Sequence, residues 1–394
     1  MHSLSEHSLA RLFVLCSRPA PGPGAGEEVL RLAGSVRDWN RAIGKAEEEG
    51  ILPLLYWNLR DHPGAVPAAV LETLRRAFLR NLARTAQVYR DLELFLSSVR
   101  RAGLRAALTK GGRLALDLYP EPALRPFWDV DFIVHPADWP ALKKILGDIG
   151  YTEAADSGGG PAAADPPLDW TYSPYYRKDS LFLEFHFTPL GLHFPNREGD
   201  GLWSSASRLN VRGTEAMILP AEHELCYLCI HAQQHSYQRL IWLSDIAELS
   251  LRPGLDWDRV LRISQADRVR GPVFYGLHLA NALWPGTVPP GPLAGLRPGF
   301  FERAGLSILW PAASTTARRT APPWPYYMPS LFSLWERKSP GLAVRTLRGI
   351  LFPPRAWLAV SCGLPSNSLR LYGRYFDRIL RPLLTAAKRF TAAP

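Results

Sequence analysis

The chain has 394 residues, of which 47% are hydrophobic and 21% charged, with a formal net charge of +10. That balance gives a sizeable core and room for two or three domains, and it excludes a disordered or fibrous chain. No run approaches the ~18 uncharged apolar residues of a spanning helix, no clean signal cleavage site follows the apolar stretch 12–16, and four cysteines give no disulfide framework, so a cytoplasmic, reducing compartment is expected.

The charge is unevenly placed. Residues 301–394 carry 14 Lys+Arg against 3 Asp+Glu, while the other 300 residues carry 32 against 33. The basic character therefore belongs to the C-terminal segment, which argues against nucleic acid as a partner of the whole protein.

Residues 1–100 read as a helical N-terminal region. Apolar residues recur at three- and four-residue spacing over 27–32, 36–50 and 68–101. The third stretch is the clearest, with Leu71, Leu74, Phe78, Leu82, Val88, Leu92, Leu94 and Phe95 approximating one stripe. Residues 17–26 are a loop by their Pro and Gly content.

From residue 101 to 215 the pattern is that of a mixed unit. Residues 104–108 are a strand candidate running into a turn, Lys110-Gly111-Gly112, and then a short helix over 113–119. Residues 129–134 are a strand, and Pro136 suits the first turn of a helix over 137–149. Strands are expected again over 151–154, 170–176 and 180–188, with a Gly-, Ala- and Pro-rich loop over 157–169. In the last strand Phe182, Glu184 and His186 share one face, and Leu183, Phe185 and Phe187 the other.

Helices are expected to resume over 222–235, 238–251, 257–267 and 269–282, a helical region spanning 216–284. Ten prolines within 285–329 read as an irregular connection. The basic region 330–394 ends in a helix candidate over 369–380, with Tyr372, Tyr375 and Phe376 on one face and Arg370, Arg374 and Arg378 on the other. Such a helix can pack its aromatic face on the body or rest on an anionic membrane surface.

The most telling feature is Asp129-Val-Asp131. Two carboxylates one residue apart on a strand point to one face and repel each other. Divalent cations with a preference for hard oxygen ligands, Mg²⁺ or Mn²⁺, relieve that repulsion. Gly111 and Gly112 upstream let the backbone approach a phosphate. Cys226 and Cys229, with His231 and His235, have the residue types of a zinc site, but a fourth ligand is missing and the helical spacing favours small core residues.

In the order Lys110-Gly-Gly112, Leu124-Arg125-Pro126, Asp129-Val-Asp-Phe-Ile-Val134 and Leu183-Glu184-Phe-His186, followed by His231, His235 and Asp245, the chain resembles a bacterial family of uncharacterised nucleotidyltransferases within the DNA polymerase β-like superfamily. The resemblance implies an α+β fold: a nucleotidyltransferase core, with a mixed sheet of four to five strands, helices behind it and the acids on an open face, flanked by helical N- and C-terminal regions. It implies metal-dependent transfer of a nucleotidyl group, AMP from ATP, to an unidentified acceptor hydroxyl, with release of pyrophosphate. Asp129, Asp131 and Glu184 would hold Mg²⁺ or Mn²⁺. Lys110, Gly111, Gly112, Arg113 and Arg125 would bind the nucleoside triphosphate, Arg125 alternatively pairing with Asp129. His186, His231 and His235 would stand behind the metal ligands. Gly112 replaces the serine common in the superfamily, and Arg113 is the substitute for its hydroxyl. Two rival readings are a catalytically silent nucleotide-binding module, and a membrane-peripheral partner of an envelope or natural-product pathway held by the basic tail.

Overall fold

The computed structural model describes residues 2–20, 22, 24–62, 64–154, 174–187, 200–235, 237–267, 269–299, 352, 355, 358, 365 and 367–376. The expected loop over 157–169, most of the basic C-terminal region and residues 300–329 of the Pro-rich connection lie outside them.

The helices α1 (His2–Cys16), α2 (Ala25–Gly34), α3 (Trp39–Glu48) and α4 (Leu52–Leu59) precede the long α5 (Ala68–Arg101). Asp38 caps α3 by accepting from the Arg41 N–H, and Pro53 in the first turn of α4 costs no helical hydrogen bond. Strand β1 (Ala106–Thr109) leads into α6 (Lys110–Asp117), then β2 (Val130–Val134), α7 (Trp139–Asp148), β3 (Thr152–Glu153), β4 (Tyr175–Lys178), β5 (Leu181–His186), α8 (Asp200–Ser204), β6 (Ser207–Val211) and β7 (Thr214–Ile218). Then follow α9 (Ala221–Gln234), α10 (Leu240–Ser250), α11 (Trp257–Ala266), α12 (Arg270–Leu283) and α13 (Pro290–Leu296).

The seven strands form one mixed sheet, in the order β3-β4-β5-β2-β1-β7-β6. Strand β2 runs parallel to β5, and β1 parallel to β7; the other pairs are antiparallel. The α+β class expected from the sequence is present, with more strands than expected. The β6–β7 hairpin accounts for part of the difference. Its strands carry Arg208, Asn210 and Glu215 on the more exposed side and so lack a continuous apolar signal.

Two further differences have local causes. Lys110, Gly111 and Gly112 form the first turn of α6 rather than a turn before it. Tertiary packing overrides the poor helix propensity of glycine here. A Cβ on Gly111 would stand 2.7 Å from the Phe127 Cβ, and one on Gly112 would stand 3.0 Å from the Val130 Cγ1. Within the expected irregular connection, α13 forms because Pro290 and Pro292 occupy the first turn, where no amide donor is needed.

Two cores result. One face of the sheet carries Leu108, Val130, Phe132, Leu183 and Phe185 against Phe95 of α5 and Trp139 of α7. The other large core is wholly helical and joins α1–α4 to α9–α13. The Trp284 indole donates to the Val14 carbonyl, and the Ser244 hydroxyl to the Ser17 carbonyl, across more than 200 residues of sequence. The cysteines Cys226 and Cys229 are buried in α9. A Cβ on Gly276 of α12 would stand 2.6 Å from the Cys229 Sγ, so the α9–α12 contact has no room for a larger residue.

Candidate active site

The second face of the sheet carries the chemistry. Register pairs Asp131 on β2 with Glu184 on β5, and Ile133 with His186. Asp131, Glu184 and His186 therefore share one face, as the alternation along each strand requires. Sequence reasoning anticipated an open face. Instead Ala107 and Ile133 of that face are buried against Leu202, Leu219 and Tyr227 of α9, and Asp131 is only 4% exposed.

One potential ligand atom from each of Asp131, Glu184 and His186 lies within 4.8 Å of the others. The His186 Nε2 is 2.9 Å from Asp131 Oδ1 and 3.4 Å from Glu184 Oε2. Two carboxylate oxygens and an imidazole nitrogen at this spacing fit a divalent cation, and the nitrogen suits Mn²⁺ better than the all-oxygen set that Mg²⁺ prefers. His186 thus joins the donors themselves, where the sequence had placed it behind them.

Asp129 stands outside this three-donor group. Strand β2 begins at Val130, so Asp129 is at its mouth and half-buried. Burial and the nearby Asp131 carboxylate push its carboxyl up to about 6, against the pull of Lys110.

The Lys110 ammonium lies inside the group. Its Nζ is 2.5 Å from Asp131 Oδ1, 3.2 Å from His186 Nε2 and 4.0 Å from Glu184 Oε2, with the Tyr227 ring centroid at 5.3 Å. Burial alone would lower its pKa, but Asp131, Tyr227 and Glu184 outweigh burial and hold it well above the ordinary lysine value. Burial likewise opposes the Glu184 charge, yet His186 and Lys110 keep that carboxyl well below the usual range. Lys110 has φ 48, a left-handed backbone that costs a side-chain-bearing residue about 1 kcal/mol.

The α6 N-terminus has a partner that the sequence did not reveal. Glu224 of α9, fully buried, accepts from the Thr109 hydroxyl at 2.8 Å, from the Lys110 backbone N–H at 2.8 Å and from Arg113 Nη1 at 3.1 Å. A carboxylate there complements the positive end of the helix. Gly111 and Gly112 supply the remaining N–H groups of the first turn, where helical geometry provides no intrahelical acceptor.

Arg113 and Arg125 were expected on the triphosphate, and the structure commits both to the scaffold. Arg113, 1% exposed, donates to Glu224, to Asp117 and to the Leu219 carbonyl. Arg125 donates to Asp245 of α10, with Nη2 at 2.7 Å from Oδ2, and to the Pro126 carbonyl. Its alternative partner, Asp129, is replaced by Asp245, which also accepts from the Tyr119 hydroxyl.

His231 of α9 and His235, the residue that ends it, form a ring cluster with Trp242, centroids 4.6–5.2 Å apart. Burial, then Lys110, drives His231 well below the ordinary histidine value and His235 to about 4. Both are neutral at neutral pH. Two further arginines feel the Asp129 charge: Arg84 of α5, which donates to the Phe127 and Trp128 carbonyls, and Arg239, which donates to the Glu48 carbonyl. Trp128 beside Arg84 is 66% exposed. Helix periodicity shows Arg84 only as one of several basic residues on α5, so nothing in the sequence singled it out.

A Gly-Gly helix start therefore lies beside carboxylates on two neighbouring parallel strands. The sequence model of a family described as uncharacterised nucleotidyltransferases matches residues 35–285, and the chain belongs to that family. A solved antigenic nucleotidyltransferase-like protein from Paracoccidioides brasiliensis aligns with 50% of this chain and 91% of its own, at 16% identity and a TM-score of 0.33. No curated protein matches the chain in sequence.

Proposed function

We propose that the protein is a metal-dependent nucleotidyltransferase that moves a nucleoside monophosphate, AMP from ATP, to an acceptor hydroxyl. The observation that carries this reading is the convergence of Asp131, Glu184 and His186 on one sheet face in a chain of a nucleotidyltransferase family. Asp131, Glu184 and His186 would hold Mn²⁺ or Mg²⁺, and Asp129 at the strand mouth would share a second ion. A bound ion pair there supplies charge stabilisation for the attacking and leaving oxygens. The acceptor oxygen forms a bond to the α-phosphorus as the α–β bridging bond breaks. Pyrophosphate leaves with that electron pair, and the acceptor's proton passes to Glu184. Lys110 and the N–H groups of Gly111 and Gly112 would hold the β- and γ-phosphates.

The experiment is incubation of the full chain with α-labelled ATP, CTP, GTP or UTP and Mn²⁺ or Mg²⁺, following label transfer and pyrophosphate release. Labelled product that disappears in Asp131→Asn supports the reading. Equal turnover in Asp131→Asn overturns it.

A second reading, a catalytically silent nucleotide-binding module, draws on one observation: the Lys110 ammonium already pairs with Asp131 and stands 4.0 Å from Glu184. Nucleotide binding without pyrophosphate release would favour it. The membrane-peripheral alternative concerns the basic tail. Among the described residues no helix is long and apolar enough to cross a membrane.

A further inference from the structure

We infer that Lys110 is a built-in stand-in for the metal ion, and that metal binds only when a polyphosphate draws the lysine away. The inference rests on the proposed reading of Asp131, Glu184 and His186 as metal ligands.

The geometry makes the two cations competitors. Nζ of Lys110 is 2.5 Å from Asp131 Oδ1 and 3.2 Å from His186 Nε2, on the side where these donors converge. A divalent ion bound by the same oxygen and nitrogen would lie roughly 2.1 Å from each. It would meet a positive ammonium at close range in a site where Asp131 is 4% exposed and solvent screens little. A hydrogen-bonded ammonium beside His186 also competes for the imidazole lone pair that a metal needs.

Lys110 has somewhere else to go. It is the first residue of α6, so its flexible four-carbon stem pivots beside the N–H groups of Gly111 and Gly112. A polyphosphate docked on that helix start offers the ammonium an equally strong anionic partner. Glu224 holds the Lys110 backbone N–H at 2.8 Å, so the main chain stays fixed while the side chain exchanges partners. Metal and polyphosphate then bind with positive coupling, and linkage makes that coupling reciprocal. The resting protein keeps Asp131 paired with the ammonium and admits the metal together with the substrate.

The test is Mn²⁺ binding to the full chain, followed by electron paramagnetic resonance at matched free Mn²⁺, with and without inorganic tripolyphosphate. The wild type should bind Mn²⁺ at least tenfold more tightly when tripolyphosphate is present. Lys110→Met should bind Mn²⁺ alone at least tenfold more tightly than the wild type and lose most of the tripolyphosphate effect. Wild-type Mn²⁺ affinity that is indifferent to tripolyphosphate overturns the inference, whether or not Lys110→Met folds. So does a folded Lys110→Met that binds Mn²⁺ no better than the wild type. Asp131→Asn separates the two claims: if it binds Mn²⁺ as the wild type does, the ligand assignment has failed. If it loses Mn²⁺ while Lys110→Met gains nothing, only the lysine's role has failed.

Discussion

Arg125 and Asp245 are 120 residues apart in sequence, and their side chains meet at 2.7 Å with the carboxylate fully buried. The pair fastens the segment before β2 to α10, and so joins the sheet that bears the acids to the helical core. Tyr119 donates to the other Asp245 oxygen at 2.8 Å, leaving the carboxylate well satisfied. Breaking such a pair from one side strands a charge, which costs about 3–5 kcal/mol. Arg125→Met and Asp245→Asn should each lower stability by about that amount in urea unfolding. A double mutant should lose less than the two singles combined. Additive losses would show that the pair is not coupled.

The Gly-Gly start of α6 predicts an ordered pair of effects. A methyl group on Gly111 would collide with the Phe127 Cβ at 2.7 Å and with the Arg125 guanidinium. Gly111→Ala should therefore cost about 2–3 kcal/mol by overpacking. In Gly112→Ala the methyl meets only the Val130 Cγ1 at 3.0 Å and the Leu108 Cδ1 at 3.3 Å, and the cost should be about 1 kcal/mol. Thermal or urea unfolding reads the order, and the reverse order would contradict the packing described for α6.

Catalysis should depend on the donor group far more than on the surrounding arginines. Glu184→Gln and His186→Ala should each reduce nucleotidyl transfer by about 10²-fold or more, comparable with the loss of one transition-state charge partner. Arg113→Lys should act mainly on stability, because its guanidinium is spent on Glu224, Asp117 and the Leu219 carbonyl. Measuring kcat alongside unfolding separates the two classes.

The pH dependence of the metal-free protein has two opposed parts. Asp129, raised by burial to about 6, keeps in the folded state a proton that the unfolded chain has released. Its contribution favours folding at low pH and is lost as pH rises from about 4 to about 6. His235, lowered by burial to about 4, acts in the other direction. It favours folding above about 6.5 and loses that contribution as pH falls toward about 4. In chelator-treated protein, Asp129→Asn should therefore gain stability relative to the wild type as pH rises through this window. His235→Gln should gain as pH falls through it. Unfolding in urea at steps from pH 4 to pH 7.5, a range of about the width both shifts span, reads both slopes. Parallel curves for all three proteins would refute the assignments.

Much of this protein is legible from residue order. Helices α5, α9, α10, α11 and α12 follow from apolar residues at helical spacing, and the face carrying Glu184 and His186 follows from the alternation along β5. The β6–β7 hairpin was hidden because its strands are only five residues long and Arg208, Asn210 and Glu215 interrupt its apolar positions. The Asp131–Glu184 pairing required knowing which strands are neighbours, and β2 and β5 lie about 50 residues apart in sequence with β3 and β4 between them.

The sequence by itself determined the chemistry available: acids beside β2, a Gly-Gly pair after β1, and a Glu-x-His strand, because residue type and strand period fix which donors share a face. Only the tertiary structure decided who pairs with whom. Arg125 went to Asp245 rather than Asp129, Arg113 to Glu224 rather than outward, and His186 into the donor group while Asp129 stayed at its edge. Lys110 came to rest among the carboxylates. Burial is the physical reason: once α9 and α10 close over the sheet, every charge beneath them must find an opposite partner within reach, and those partners come from distant parts of the chain.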